Sequence, residues 1–371
     1  MKKIKILFVV TRYTKSGPIN VISNIIQYLD PCKYDLYSLS IYKEYDDNSV
    51  LNGIKEKFTK CEQLILTPKD ALLGNYQKIA SYIDELNPDV IHSTGTVPDL
   101  IVERVARRKQ VIIIHANVDI DNILEYGKVT GTLLSKLNVY LFKRARKTIA
   151  CSKSLALYYN RKYMLNVSYI RNGVQIPDRN ATDKSELRKK LKLPEDKRIF
   201  IYSASFNLRK DQMFLINIFE KELKDDVLLL LGDGPLFEKV REQASAGNVI
   251  FEGHKENVLD YLQASDYCIS SSKQEGMPMA VLEAMSTGLP ILLSDIAQHR
   301  EIYEINPNIG ELYKLGSRDD FIIAYRRLLE NNYLTMKEAA YKVVNSNFDA
   351  KKMSLEYAKI YCDIAENKGN F

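Results

Sequence analysis

Residues Asp266–Pro290, DYCISSSKQEGMPMAVLEAMSTGLP, decide how this chain folds and where its chemistry lies. DYCISSS (Asp266–Ser272) reads as a short buried strand. Gly276 then frees the backbone, and Pro278 can occupy the first position of a helix, where a missing N–H costs nothing. Glu275 therefore falls in a strand-to-helix loop, and Glu283 about a turn and a half into the helix. The N–H groups from Met277 to Ala280 stand at a helix N-terminus, which attracts anions. A carboxylate on each side of such a terminus suits a ligand whose hydroxyls flank a phosphate, as in a nucleotide sugar. The E-x7-E spacing alone is weak, because strand–loop–helix units with a glutamate or two are common.

The rest of the chain supplies the context. At 371 residues it suits two domains, and 46% hydrophobic content with only 16 Gly and 11 Pro argues for folded structure throughout. The opening MKKIKILFVVTRYTKSG has a short apolar run and no small-residue cleavage site, so it reads as a first strand and not a signal peptide. No apolar stretch approaches the roughly 20 residues that span a bilayer. Five scattered cysteines without a C-x-x-C pair point to a reducing cytosol, and away from a disulfide scaffold or zinc site.

The net charge of +6 is unevenly spread: residues 1–180 hold 27 Lys/Arg against 17 Asp/Glu, and residues 181–371 hold 26 against 30. The halves thus face different partners. Lys128–Lys147 carries six basic residues and no acid. Leu133, Leu134, Leu137, Tyr140 and Leu141 recur there at helical spacing. Such a helix either packs its leucines on the core or docks on an anionic membrane. No nucleic-acid motif accompanies the charge.

Strand-like runs alternate with amphipathic segments, the pattern of parallel sheets. In the first half the runs are Ile4–Val10, Tyr34–Ser40, Val90–His92, Val111–His115 and Thr148–Cys151. In the second they are Ile199–Ser203, Val227–Leu231, Val249–Phe251, Tyr267–Ser270 and Ile291–Leu293. Ile170–Asp183, with an Asn-Gly turn and a proline, reads as a linker. The expected fold is α/β, with two doubly wound Rossmann-like domains, 1–172 and 173–348, facing across a cleft. Ligands bind such sheets beyond the C-terminal strand ends. The loops there are informative. Gly17 follows the first strand, and Lys210 opens a helix after the strand at Ile199, where its charge suits a diphosphate. Gly232 and Gly234 form a GDGP turn that fails the dinucleotide pattern at Phe237. Asp119-Ile120-Asp121 reads as loop acids in place of a metal site.

Taken together, SGP, SFNLRKDQMFLI, GDGP, FEGH and EGMPMAVLEAMSTGLP resemble family 4 of the retaining glycosyltransferases (glycosyl transferases group 1), which have the GT-B fold. The resemblance covers nearly the whole chain and is strongest over 199–302. It implies an acceptor-binding first domain completed by a C-terminal helix, 349–371, that crosses back, and a nucleotide-sugar-binding second domain. It implies catalytic His115, Glu275 and Lys210. Donor contacts would come from Gly17, Arg209, Lys210, Gly253, Glu275, Gly276, Met277, Met279, Ala280 and Glu283.

Ser205 stands where the family has an arginine, a place Arg209 would fill from its neighbouring position. Gln298-His299 replace a common glycine pair, and Glu301 is the one position of Ser294–Ile302 to which a site role is given. His92 is the second choice for the histidine. The expected activity is metal-independent, cofactor-free hexosyl transfer from a UDP-sugar to a glycan or lipid-linked glycan. The expected place is the cytoplasm, peripheral to the inner face of the cytoplasmic membrane, in bacterial surface polysaccharide synthesis. The rival readings are another GT-B enzyme, such as an epimerase or phosphorylase, and a non-catalytic subunit.

Overall fold

Parallel strands must be joined by long crossovers, and the amphipathic segments between the apolar runs provide them as helices. The computed structural model describes residues 2–44, 49–67, 70, 74–178, 183–245 and 247–366; part of the expected linker, 179–182, and residues 367–371 lie outside this set. The chain divides into a first unit, Met1–Gly173 with Ala350–Phe371, and a second, Val174–Asp349.

The first unit holds β1 (Ile4–Val10), β2 (Tyr34–Ser40), β3 (Lys60–Gln63), β4 (Val90–Thr94), β5 (Gln110–Ile114), β6 (Lys147–Ala150) and β7 (Ser168–Tyr169). They pair in parallel in the order β3-β2-β1-β4-β5-β6-β7. The second unit holds β8 (Ile199–Ser203), β9 (Val227–Leu231), β10 (Val249–Gly253), β11 (Tyr267–Ser270), β12 (Ile291–Ser294) and β13 (Gly310–Tyr313). Their order is β10-β9-β8-β11-β12-β13, again parallel. In each sheet the chain winds first to one edge and then to the other, so the order reverses beside β1 and beside β8. Such reversal points are where open α/β sheets take ligands. Residues Ile6–Val10 and Val227–Leu231 are almost wholly inaccessible, as expected for strands covered on both faces.

The helix Ala350–Glu366 completes the first unit. It packs on β1, β4 and the helix Gly17–Gln27 through buried Met353, Tyr357 and Tyr361. Ser354 Oγ donates to Ile25 O at 2.7 Å. His92 Nδ1 meets Tyr361 Oη at 2.6 Å while its ring stacks on Phe8 at 5.4 Å. Burial, then the proximity of His115, lowers the His92 pKa to about 3. His92 is therefore a neutral packing group that ties the last helix to the sheet. Tyr361→Phe leaves Nδ1 unpartnered in a sealed site, and we expect a loss of about 1–3 kcal/mol in urea unfolding; an unchanged midpoint would show that this bond stabilises nothing net.

One expectation holds only in part. The helix Lys128–Arg144 buries Leu141 and half-buries Leu134 and Leu137, but Leu133 is 63% and Tyr140 48% exposed. It buries Gly131, Ser135 and Asn138, followed by Leu141 and Phe142. The cause is the neighbouring helix Val118–Tyr126, which approaches so closely that a Cβ on Gly131 would lie 2.4 Å from Asn122 O. Polar side chains fill the seam. Ser135 Oγ lies 2.8 Å from Val118 O, Asn122 Nδ2 donates to Asn138 Oδ1 at 3.3 Å, and Asn138 Nδ2 donates to Thr96 Oγ1 at 2.9 Å.

Candidate active site

Strands β8 and β11 are adjacent in the second sheet, with Phe200 opposite Tyr267 and Ile201 opposite Cys268. The loops leaving their C-terminal ends must therefore lie side by side. The first carries Arg209 and Lys210, the second Glu275. Lys210 Nζ donates to Glu275 Oε1 across 65 residues of sequence, and the two side chains are only 14% and 7% exposed.

The first loop is held from several sides. Asn207 Oδ1 accepts from the N–H groups of Arg209 and Lys210 at 3.1 and 3.2 Å. Tyr202 Oη donates to Lys210 O at 3.0 Å, and Lys273 N–H to Arg209 O at 2.8 Å. Ser271 Oγ lies 2.9 Å from Lys210 O and 2.8 Å from Asp211 O. Beneath the pair is a void of about 20 Å³, room for one water but not for a sugar.

Electrostatics separate the two glutamates. Burial opposes charge on Glu275, but Lys210 and then Arg209, with a hydrogen bond from Ser272, overcome it and hold the carboxyl at about 2. Glu275 is thus an anion at any physiological pH. Glu283 has no such cation beside it, and burial pushes its carboxyl up to about 7. It sits a little over one turn into the helix Met279–Ser286. Pro278 caps this helix and lies just outside it, one place earlier than the sequence suggests. The first internal bonds run from Val281 and Leu282 N–H to Pro278 O at 3.0 and 3.1 Å. The N–H groups of Met279 and Ala280 thus come before the helical ladder. Gly276 and Met277 are buried under this turn, and Met279 and Ala280 are partly exposed.

The remaining residues are distributed as follows. Gly253 ends β10 at φ 67 with open space where a Cβ would sit. Gly232 and Gly234 serve packing: a Cβ on either would lie 2.2 Å from Ala204 O or 2.6 Å from Phe206 O. Gly17 and His115 belong to the first unit. Gly17 begins the helix after β1 and is exposed. His115 lies one residue beyond β5, not within it. Its imidazole is lowered to about 4 by burial, and its Nε2 has no hydrogen-bond partner among the described residues. Asp119 of the D-x-D triplet accepts from Tyr158 Oη at 2.6 Å, Tyr163 Oη at 2.7 Å and Lys162 Nζ at 2.9 Å.

The sequence reading gave no role to His299, which the structure places among these groups. Its Nδ1 donates to Ser294 O at 2.7 Å, and its Nε2 has no hydrogen-bond partner among the described residues. Burial lowers its pKa to about 4, against an opposing pull from Glu275. The only signal for it was the departure from a glycine pair at Gln298-His299. Glu301 is buried on the same helix, Ala297–Tyr303.

Residues 183–343 match the family described as glycosyl transferases group 1. This segment, which makes up most of the second unit, belongs to the group 1 glycosyltransferases. This glycosyltransferase is 22% identical over 325 residues to N-acetyl-alpha-D-glucosaminyl L-malate synthase of Bacillus anthracis, which covers 82% of this chain and 81% of that one. It is 24% identical over 367 residues to the O-antigen biosynthesis glycosyltransferase WclY of Escherichia coli, covering 96% and 98%. The structure of Anabaena Alr3699/HepE in complex with UDP and glucose matches with a TM-score of 0.80 at 18% identity, over 97% of this chain and 100% of that one. The chain thus has the GT-B fold of two Rossmann-like domains.

Proposed function

We propose that this glycosyltransferase moves a hexose-type sugar from a nucleoside diphosphate, with UDP as the expected carrier, to a hydroxyl of a glycan or lipid-linked glycan. The anomeric configuration is retained and no metal ion is required. The buried Lys210–Glu275 pair beside the sheet's reversal point carries this reading. As the anomeric C–O bond breaks, the departing diphosphate gains negative charge. Lys210 Nζ has three N–H donors, gives one to Glu275, and can turn another toward phosphate. Arg209, the N–H groups of Met279 and Ala280, and the Gly17 N–H add further positive potential.

Glu275 accepts from a sugar hydroxyl and stabilises oxocarbenium character. His115, as a neutral imidazole, meets another hydroxyl or the departing phosphate. Glu283 accepts the ribose hydroxyls, and the backbone at Gly253 meets the base. Retention by double displacement needs two carboxyl groups roughly 5–5.5 Å apart, and no such pair is assigned here. A same-face reaction is the alternative: the acceptor oxygen bonds the anomeric carbon as the phosphate leaves, and the phosphate takes the acceptor's proton.

The WclY likeness supports a setting in bacterial surface polysaccharide synthesis, and the UDP bound by Alr3699/HepE supports that nucleotide. Among the described residues no helix is long and apolar enough to cross a membrane. Work on a lipid-linked acceptor at the inner face of the cytoplasmic membrane would then be peripheral, through the basic first unit.

Thermal shifts with UDP, GDP, ADP, TDP and their sugars test the reading. A ligand at a hundred times its Kd raises stability by about 2.7 kcal/mol. We expect a shift with UDP-sugars that survives EDTA and disappears in Glu283→Ala. Ser205, in place of the family's arginine, favours a non-catalytic subunit as the second reading. The absence of a shift with every nucleotide would establish that reading over ours.

A further inference from the structure

The helix Lys128–Arg144 turns its polar side inward, and its outward side is correspondingly unusual. Val129, Leu133, Lys136, Tyr140 and Lys143 recur at intervals of three and four residues, so they share one face, and all are exposed. Val129 reaches 77%. The adjoining helix Val118–Tyr126 has no buried residue and adds exposed Leu124 and Tyr126. A single exposed leucine means little, but a contiguous apolar patch marks a contact surface. At the far end of the same face, Tyr140 and Arg144 border a cavity of about 710 Å³. Arg104, Arg107, Arg108 and Lys109 also line it, against two carboxylates among the described residues, Asp84 and Glu103. Glu103 is already paired with Arg144 at 2.6 Å. Arg104, Arg107 and Arg108 are exposed. They lie just before β5, at the strand ends opposite those followed by Gly17 and His115.

We propose that this face and the arginine cavity form one docking surface for a bilayer rich in anionic phosphate headgroups. Val129, Leu133 and Tyr140 enter the interface, and Arg104, Arg107 and Arg108 engage the phosphates. The proposal rests on the reading of a lipid-linked acceptor above. A helix of 17 residues is about 25 Å long, so it lies along the bilayer surface with apolar side chains toward one end and cations toward the other. Aliphatic side chains, tyrosines and lysines together suit acyl chains and the headgroup boundary, where an apolar body with a polar tip is favoured.

The test is co-sedimentation of the full chain with vesicles of phosphatidylglycerol and phosphatidylcholine, or of phosphatidylcholine alone. Wild type should bind the anionic vesicles only, and less tightly as salt rises. The variant Arg104→Ser/Arg107→Ser/Arg108→Ser should bind on the order of a hundredfold more weakly, and Val129→Ser/Leu133→Ser about tenfold or more. Both should keep native circular dichroism and the wild-type thermal shift with UDP-sugar. The surface is misassigned if wild type ignores anionic vesicles, if both variants bind like wild type, or if an oligonucleotide binds more tightly than the vesicles. Any of these with the UDP-sugar shift intact overturns the docking surface alone. Loss of that shift in wild type overturns the functional reading instead.

Discussion

Lys210→Met is expected to lower kcat about a thousandfold and to destabilise the protein by about 3–5 kcal/mol at pH 7. The catalytic loss follows from removing the cation nearest the leaving phosphate. The stability loss follows from stranding Glu275, whose side chain is 7% exposed, without its partner. The pH dependence identifies the cause. In wild type the Glu275 carboxyl is held at about 2, below its ordinary 4.5. Its contribution is therefore present above pH 4.5 and lost as the pH falls through 2. Without Lys210, burial becomes the leading influence and the neutral acid is favoured, so the difference between variant and wild type narrows in acid. Lys210→Met/Glu275→Gln should regain much of the stability and none of the activity. Urea unfolding at pH 4 and pH 7, with single-turnover transfer assays, reads both. Equal destabilisation at the two pH values would mean that the pair is not the origin.

Glu283→Gln should act in the opposite direction on stability. The folded-state pKa of about 7 lies above the ordinary 4.5, so folding favours the uncharged acid. The stabilisation is complete below pH 4.5 and lost as the pH rises through 7, which leaves a penalty of about 3 kcal/mol at pH 8. Glutamine avoids that penalty, so the unliganded variant should be more stable at pH 8 and little changed at pH 4. Its affinity for UDP-sugar should fall by about 10–100-fold, because a charged acceptor for the ribose hydroxyls is gone. In wild type the same affinity should tighten between pH 6 and pH 8 as Glu283 ionises. Calorimetric titration of donor and urea unfolding at both pH values check the two halves. Unaltered affinity in the variant would remove Glu283 from the site.

Much of this was legible in the residues. Val227–Leu231 is an unbroken apolar run because both faces of its sheet are covered, and such runs mark the central strands plainly. Edge strands were less legible: Val249–Phe251 marks β10, but β3 and β13 escaped notice. KCEQ at β3 and GELY at β13 have one neighbour each and are partly accessible, so neither needs a continuous apolar sequence. Lys210 and Glu275 could each be singled out, but their pairing is a product of strand order, which places β8 beside β11. His299 was missed because nothing in its local sequence betrays that its ring is sealed among Ser294 and the charges around Glu275. The orientation of Lys128–Arg144 was missed for a different reason. Helical periodicity reveals an apolar stripe but not which side is turned inward. Here a glycine and two small polar residues fit the narrow seam that leucines would have blocked.

The discontinuity of the first unit has a consequence for biosynthesis. Roughly 180 residues separate Gly173 from Ala350. At ribosomal rates of about 5–20 residues per second, some 10–35 s pass between them. Throughout that interval the nascent β1–β4 layer around Phe8 and His92 has no Tyr357 or Tyr361 to cover it. The unit begun first is thus finished last, after the whole sheet of the second unit has left the ribosome. A chain released early, just before Ala350, would carry a complete second unit and an uncovered aromatic surface on the first. Such a product is suited to recognition by chaperones and proteases, so the helix Ala350–Glu366 conceals the surface that marks an unfinished first unit.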